Sequence, residues 1–433
     1  MKIYTYPSSE AEQRICDTME RGLGFTPEDH SAVQAYIDDV KKRGDTALVE
    51  YTNRFDSSKV TPETLKVTPQ EVDEAKTMVD QDFLKALDRA VDQLETFHAR
   101  QRQNSWIDTP RDGVMVGQMV IPVDRAGIYA PGAKGGKTPL VSSVLMGGIP
   151  ARVAGVGSCY LMTPPMENGK INPYMLVAAD RVGIKGVFKA GSAWAIAALA
   201  FGTQSVPKVD VIVGPGNIYV TLAKKIVSGV VGIDMIAGPS EILIIADGNA
   251  NPDHLAADLL SQAEHDPMAS AILVTDSREV ADKTRTCLET QIKSLTRQDI
   301  ARRSIDDFGA IINVPDIDTA IELANRLAPE HLELIVDNPF EWMGKIKNAG
   351  AVFLGPYTPE PMGDYIAGPN HVLPTAGTAR FSSALSVDNF TKKTSLINYS
   401  KEAFDREARD VMVLAEIEGL DAHANSVRIR TKQ

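Results

Sequence analysis

Short apolar runs of β-strand type alternate with helical segments along most of the chain, and this alternation constrains the fold more than any other feature. The strand-type runs read VMVGQMVIPV, RAGIYAPG, CYLMTPP, GVFKAG, VDVIVGPG, EILIIADG, AILVTD, AIINV, LELIV and AVFLG. Helix-type segments such as PLVSSVLMGGIPARVAG and PYMLVAADRVG separate them. Strands that alternate with helices of roughly ten to fifteen residues predict βαβ units and mostly parallel sheets. The expected class is therefore α/β.

The two ends of the chain lack the regular alternation of strand-type and helix-type segments. Residues 1–30 are predicted to form a helical arm that ends near PEDHS, and residues 31–55 and 69–103 are predicted to be helical. The C-terminal segment is expected to contain a polar stretch, a helix and a final strand-like run, SVRIRT.

Composition excludes several classes of protein. A net charge of −12 with no dense Lys/Arg run argues against a nucleic-acid partner. No apolar run approaches the ~20 residues of a membrane span, and the N-terminus has no apolar signal region. The three cysteines (Cys16, Cys159 and Cys287) are too few and too scattered for a disulfide framework or a thiolate zinc site. We expect a cytoplasmic protein of enzyme size.

Two glycine-rich loops follow strand-type runs. PGAKGGKT has the end of a phosphate-binding P-loop, but Pro131 stands where that motif requires glycine. Thr138 as helix N-cap and Pro139 at the first helical position predict an anion-binding helix start, with an ordinary strand-to-helix turn as the alternative. The second loop, GPGNIYV at Gly214–Val220, lacks GxGxxG spacing. Since ligands bind at the carboxyl ends of parallel strands, both loops indicate a ligand site.

Glu330 and His331 stand side by side in NRLAPEHLELIV. The helical pattern breaks at Pro329 and a strand-like run begins at Leu332, and at such a corner adjacent side chains can face one cavity. Together they provide one base for a hydroxyl proton and a second base for water, which is what oxidation of an alcohol beyond the aldehyde requires. The alternative is a capped helix end with a solvated glutamate.

Scattered nitrogen and oxygen donors suggest a metal site. Gln262 and His265 lie three apart on a predicted helix and project from one face. Asp364 lies in the loop PEPMGDYIAGPNH and His423 in EIEGLDAHANS. Such donors without a thiolate suit zinc, with manganese or cobalt also possible. Spacing alone cannot bring three distant segments together, and a histidine at a helix end is more often a surface group.

Several long motifs resemble the histidinol dehydrogenase family. They are IDMIAGPSEILIIAD, SQAEHDP, APEHLEL, GDYIAGPNHVLPTAGTARFSSALSV and EGLDAHANSVRIR, and the resemblance begins at VKKRGDTALVEYTNRFD and covers nearly the whole chain. It implies oxidation of L-histidinol to L-histidine through the aldehyde, with two NAD and one zinc per site. It also implies homodimers with exchanged tails.

The resemblance assigns roles by motif. It implies that Glu330 and His331 are the catalytic bases. The implied zinc ligands are Gln262, His265, Asp364 and His423. Implied substrate contacts are these four ligands with Ser240, His331, His371 and Glu418, and Glu418 and His423 would serve the partner's site. Implied NAD contacts are Tyr129, Trp194 and Asn217.

We therefore expect two Rossmann-like α/β domains with mostly parallel sheets. The limits are a helical N-terminal arm at 1–30, a discontinuous first α/β domain at 31–128 and 241–375, an inserted NAD-binding α/β domain at 129–240, and a C-terminal tail domain at 376–433. The first α/β domain would carry most metal and catalytic residues.

The chain departs from the family pattern in the cofactor region. The usual YVPGG loop here begins Tyr129-Ala130-Pro131-Gly132-Ala133, and about three extra residues precede Ser142. Trp194 replaces a glutamine, so an indole that could stack on NAD stands where an amide would hydrogen-bond.

Other functions remain to be weighed. A metal-dependent hydrolase could use the same donors without a dinucleotide, PGAKGGKT suggests a nucleotide triphosphatase, and a non-catalytic binding protein is a third possibility. Within the same scaffold, relatives that oxidise other alcohols, such as sulfonated diols, are the main alternative.

Overall fold

A computed structural model describes residues 1–21, 24–57, 59–132 and 138–431, which form two compact units. The first unit comprises Met1–Gln101 and Val123–Phe390. The second comprises Arg102–Pro122 and the segment from Thr391 onward.

The described helices are α1 (Ser9–Glu20), α2 (Pro27–Arg43), α3 (Asp45–Phe55), α4 (Pro69–Lys76), α5 (Gln81–Ala99), α6 (Val141–Ala154), α7 (Pro173–Val182), α8 (Ser192–Phe201), α9 (Ile218–Val227), α10 (Pro252–Ala263), α11 (Arg278–Gln291), α12 (Gln298–Asp307), α13 (Ile317–Leu327), α14 (Pro339–Trp342), α15 (Glu360–Tyr365), α16 (Lys401–Ile417) and α17 (Asp421–Arg428). Short 3₁₀ turns occupy Ile292–Ser294, Met343–Lys345, Thr378–Arg380 and Val387–Phe390.

The described strands are β1 (Ile3–Thr5), β2 (Trp106–Arg111), β3 (Val114–Pro122), β4 (Arg125–Tyr129), β5 (Thr138–Pro139), β6 (Ser158–Thr163), β7 (Gly186–Lys189), β8 (Val211–Val213), β9 (Gly232–Ile233), β10 (Glu241–Ala246), β11 (Ser270–Thr275), β12 (Ala310–Asn313), β13 (His331–Ile335), β14 (Ala351–Leu354) and β15 (Thr391–Tyr399). The predicted α/β class with mostly parallel sheets is confirmed.

Two parallel sheets organise the first unit. The six-stranded sheet has the order β1-β12-β11-β10-β13-β14, and the five-stranded sheet has the order β7-β6-β4-β8-β9. Every pairing within them is parallel. Alternate residues of β10 enter opposite apolar clusters: Ile242 and Ile244 pack on one face, and Leu243 and Ile245 on the other. Burial on both faces explains why these strands are continuously apolar.

The N-terminal segment differs from its prediction. Residues Ile3–Thr5 form β1, which pairs with β12 at the edge of the six-stranded sheet. The helical part of the predicted arm is therefore α1. PEDHS begins α2 rather than ending a helix, because Thr26 accepts a hydrogen bond from Asp29 N and the Asp29 carboxylate accepts one from Thr26 N. This reciprocal capping box marks a helix start. A three-residue strand is too short for its alternation to be recognised.

The predicted start of α6 is also wrong. Thr138 and Pro139 form β5, and the helix begins at Val141 after Leu140, which caps it without a side-chain hydrogen bond. The preceding residues 133–137 of PGAKGGKT lie outside the described part of the chain, so the predicted anion-binding loop stays a prediction.

The second unit is built on an antiparallel sheet with the order β15-β3-β2. β3 was predicted to belong to the first α/β domain, but it pairs along its whole length with β15 of the C-terminal segment. SVRIRT was predicted to be strand-like; instead Asp421–Arg428 is helical, with Ala424 buried. Two apolar residues separated by one position are compatible with a strand and with a helix, and this segment is helical. No helix among the described residues is long and apolar enough to cross a bilayer.

Candidate active site

A cleft of about 640 Å³ lies in the first unit. Its lining includes residues at the carboxyl ends of β4, β6 and β8 in the five-stranded sheet. It also includes residues at the amino ends of β10 and β13 in the six-stranded sheet. The rule that ligands bind at carboxyl ends therefore describes only one of the two sheets. The cleft brings together nine of the predicted site residues, which are Tyr129, Asn217, Ser240, Gln262, His265, Glu330, His331, Asp364 and His371.

The turn between α13 and β13 places the Glu330–His331 pair at the cleft. Ala328 has a φ of +51°, a left-handed conformation that costs a non-glycine residue roughly 1–2 kcal/mol. The neighbouring chain then approaches closely: a Cβ on Gly350 would lie 2.5 Å from the carbonyl oxygen of Glu330. Only glycine fits at that position, so the corner predicted from Pro329 is fixed by packing on both sides.

The backbone of one residue, Glu241, holds both predicted bases. The Glu241 N–H donates to Glu330 Oε2 at 2.9 Å, and the Glu241 carbonyl lies 2.9 Å from His331 Nδ1. A carbonyl can only accept, so Nδ1 carries the ring proton. The other nitrogen, Nε2, is buried and has no hydrogen-bond partner among the described residues. Burial lowers the pKa of His331 to about 4, so the ring is neutral and Nε2 has a free lone pair.

Glu330 is almost fully buried at the same place. Burial raises its pKa well above the usual value, and the N–H of Glu241 opposes this rise only in part. The nearby carboxylates of Glu241, Asp364 and Glu360 raise it further. A carboxylate with a raised pKa is a stronger base once ionised, so this site favours proton abstraction by Glu330.

Three of the four predicted zinc ligands line the cleft: Gln262 at the end of α10, His265 just beyond it and Asp364 in α15. Gln262 is 1% exposed, yet within the described part of the chain its Oε1 has no hydrogen-bond partner. A buried unpaired amide oxygen is costly, and a cation would satisfy it. Asp364 Oδ1 lies 3.5 Å from His371 Nδ1. These nitrogen and oxygen donors fit a zinc ion.

A second donor group overlaps the first. Ligand atoms of His331, Glu360 and Asp364 lie within 4.8 Å of one another. We favour Gln262, His265 and Asp364 as the ligand set, since the orphaned oxygen of Gln262 needs a partner and His331 Nε2 is then left free as a base.

Glu360 was missed by the sequence analysis. It is 3% exposed, lines the cleft, and its Oε1 lies 3.8 Å from His331 Nε2. Burial, together with the adjacent Asp364, raises its pKa to about 9. Its backbone N–H donates to the buried Glu333 at 2.9 Å. The available signal was its spacing, because Glu360 precedes Asp364 by four residues, which is one helical turn.

The predicted NAD contacts divide into two groups. Tyr129 ends β4, and its hydroxyl accepts a hydrogen bond from Ser192 N at 3.0 Å. Asn217 caps α9 through its carbonyl oxygen, which accepts from the N–H groups of Tyr219 and Val220. Asn217 and Tyr129 both line the cleft.

Trp194 does not join them. It is 4% exposed and is not among the cleft-lining residues of the described chain. Its ring stacks on Phe55 with centroids 5.2 Å apart and meets the edge of Tyr36 at 5.7 Å. Because α8 is apolar on all sides, the indole packs into the core, and stacking on a dinucleotide is not supported.

The chain matches a known protein family over most of its length. A family model described as histidinol dehydrogenase matches residues 24–431. The chain belongs to the histidinol dehydrogenase family. Histidinol dehydrogenases are oxidoreductases, so the hydrolase, triphosphatase and non-catalytic alternatives are set aside.

Individual histidinol dehydrogenases are similar along nearly their whole length. The protein from Desulfotalea psychrophila is 54% identical over 93% of this chain and 93% of its own. That from Syntrophotalea carbinolica is 52% identical over 100% of this chain and 99% of its own. A crystal structure of histidinol dehydrogenase from Elizabethkingia anophelis, 39% identical, covers 100% of this chain and 98% of its own with a TM-score of 0.93.

The remaining two residues assigned from the histidinol dehydrogenase resemblance belong to the second unit. Glu418 follows α16 and His423 lies in α17, and both side chains are exposed there. Their roles as substrate contact and zinc ligand stay predictions.

Proposed function

We propose that this protein oxidises L-histidinol to L-histidine through L-histidinaldehyde, in two NAD-dependent steps that need zinc, at the end of histidine synthesis. The observation that carries the proposal is the backbone of Glu241, whose N–H and carbonyl contact Glu330 and His331 in one cleft with the predicted metal donors. The cytoplasmic location expected from the sequence stays a prediction.

Gln262, His265 and Asp364 would hold the zinc, with His423 as the predicted fourth ligand. When bound, zinc would chelate the imidazole and amine nitrogens of the substrate and so orient the carbinol carbon. Ser240 and His371 line the same cleft and would contact the substrate.

His331 would act in the first oxidation. Its Nε2 has no proton, because Nδ1 donates to the Glu241 carbonyl. The neutral ring can therefore accept the hydroxyl proton of the alcohol as the carbon loses hydride, which leaves an aldehyde. Burial with a lowered pKa makes the resulting imidazolium a ready proton donor to the next acceptor.

Glu330 would act in the second oxidation. Its ionised carboxylate would take a proton from water as the water adds to the aldehyde carbon. His331, neutral again once its first proton has passed to solvent, would take the proton of one gem-diol hydroxyl as the carbon loses a second hydride, which gives the acid. When bound, NAD accepts the hydride in each step; Tyr129 and Asn217 would contact it, whereas Trp194 would not.

We also propose a homodimer in which tails are exchanged, so that Glu418 and His423 complete the partner's site. Support comes from the second unit, where large apolar side chains on α16 and nearby are exposed: Ile397, Val411, Val413, Leu414, Ile417 and Leu420. An exposed apolar patch of this kind is typical of a protein interface.

The proposal is tested by counting NADH per L-histidinol consumed, before chelation, after chelation and after zinc repletion, with bound zinc measured in each sample. We expect two NADH per substrate, loss of turnover with loss of zinc, and recovery on repletion. Failure to form NADH from histidinol with zinc bound would contradict the proposal, and other alcohols such as sulfonated diols would then be screened.

The cysteines are expected not to take part in aldehyde oxidation. Cys159 is buried in β6, and burial raises its pKa to about 11; burial also raises the pKa of Cys287. Neither lines the cleft, and a thiol with a raised pKa is a poor nucleophile. Cys159→Ser and Cys287→Ser should each keep both oxidation steps, although the buried hydroxyl in the first could cost about 1–3 kcal/mol of stability. Selective loss of the aldehyde step in either variant would contradict the water mechanism.

A further inference from the structure

Glu241 contacts the two predicted bases through its backbone and Arg21 through its side chain. Its N–H and carbonyl hold Glu330 and His331. Its carboxylate is nearly fully buried and lies 2.7 Å from the guanidinium of Arg21. The preceding residue, Ser240, is fixed as well, because its carbonyl accepts from Ser270 N at 3.0 Å.

Arg21 follows α1, far from the site in sequence but not in space. Its side chain is 3% exposed, and the same guanidinium nitrogen also approaches the Pro239 carbonyl at 3.4 Å. Its guanidinium lies over the Phe308 ring, 5.6 Å from the ring centroid. A buried cation with these partners is fixed in place and cannot simply turn to solvent.

We infer that Arg21 is a positioning residue for catalysis: by pairing with the buried Glu241 side chain, it fixes the one residue whose backbone orients both bases. The inference rests on the proposed function. Removal of one partner from a buried ion pair leaves an uncompensated charge, which the structure relieves by moving or by taking up a proton. Either response would shift the Glu241 backbone, and both bases would lose the hydrogen bonds that orient them.

This role has a kinetic signature. A shift of about 1 Å at a reacting group can cost on the order of 100-fold in rate. Because the backbone of one residue holds both bases, the alcohol step and the aldehyde step should slow together. A defect in a single base would slow one step more than the other.

The test is a set of purified full-length variants, assayed with L-histidinol for each oxidation step and for Tm. In Arg21→Met, we expect kcat to fall roughly 10- to 100-fold in both steps. Glu241→Gln alone leaves the Arg21 cation unpaired and should lower kcat similarly. The double variant Arg21→Met/Glu241→Gln has no unpaired charge and should recover most of the loss.

Arg14→Met is the matched control. Arg14 also lies in α1 and docks it to the sheet, donating to the carbonyls of Asp307 at 2.8 Å and Gly309 at 2.9 Å, but has no contact with Glu241. It should lower Tm while kcat stays near that of the wild type. The inference is overturned if Arg21→Met and Glu241→Gln keep wild-type kcat, or if Arg14→Met lowers kcat as much as they do. A wild type without histidinol activity would instead overturn the proposed function, and this role with it.

Discussion

Glu330→Gln is expected to stop the reaction at the aldehyde. The glutamine keeps the shape of the side chain and can still accept the Glu241 N–H that Glu330 Oε2 accepts at 2.9 Å. It cannot take a proton from water, and loss of a general base typically lowers a rate by 10²–10⁴-fold. Aldehyde oxidation should therefore fall by a factor on the order of 10²–10⁴, while alcohol oxidation, assigned to His331, should change far less.

Single-turnover assays separate the two steps. With limiting L-histidinol, the variant should form about one NADH per substrate on the time scale in which the wild type forms two, and added L-histidinaldehyde should be oxidised slowly. Glu333→Gln is a suitable control, because Glu333 is also buried in β13 but does not line the cleft. This control should keep the ratio between the two steps. Equal losses in both steps of Glu330→Gln would show that the assigned roles are wrong.

Much of the first unit was predictable from local pattern. Strands buried on both faces read as continuous apolar runs, and β4, β6, β8, β10 and β13 were each found from such runs. The short β1 and the pairing of β3 with β15 were not found. The pairing joins segments about 270 residues apart along the chain, and alternation within a strand does not reveal its partner.

The site residues were likewise predictable where the sequence signal is local, and were not where their placement depends on tertiary contacts. The corner at Pro329 was enough to place Glu330 and His331 in one cavity, since a helix end and a strand start are local signals. Arg21 was missed because it acts through a tertiary ion pair with Glu241. The core packing of Trp194 could not be predicted, because its surroundings, including Phe55, come from a distant helix.

Removal of His265 tests the metal site more sharply than chelation does. His265→Ala leaves Gln262 and Asp364 as the cleft's remaining predicted donors. Loss of even an outer partner of a metal ligand costs about 10–100-fold in metal affinity or activity, so loss of a ligand should cost at least that much. We expect zinc per chain, measured by elemental analysis after dialysis, to fall together with turnover, and excess zinc to restore both in part.

His254→Ala supplies the control for this expectation. His254 lies on the same helix, α10, but its side chain is exposed and does not line the cleft. This variant should therefore bind zinc and turn over like the wild type.

If His265→Ala kept its full zinc content but lost turnover, His265 would contact the substrate rather than the metal. The overlapping group of His331, Glu360 and Asp364 would then become the better ligand set. In that case His331 Nε2 and Glu360 would both face a cation, and the hydroxyl proton of the alcohol would need another acceptor. Glu330, a buried carboxylate of the same cleft that lies 3.5 Å from His331 Nδ1, would then be the candidate.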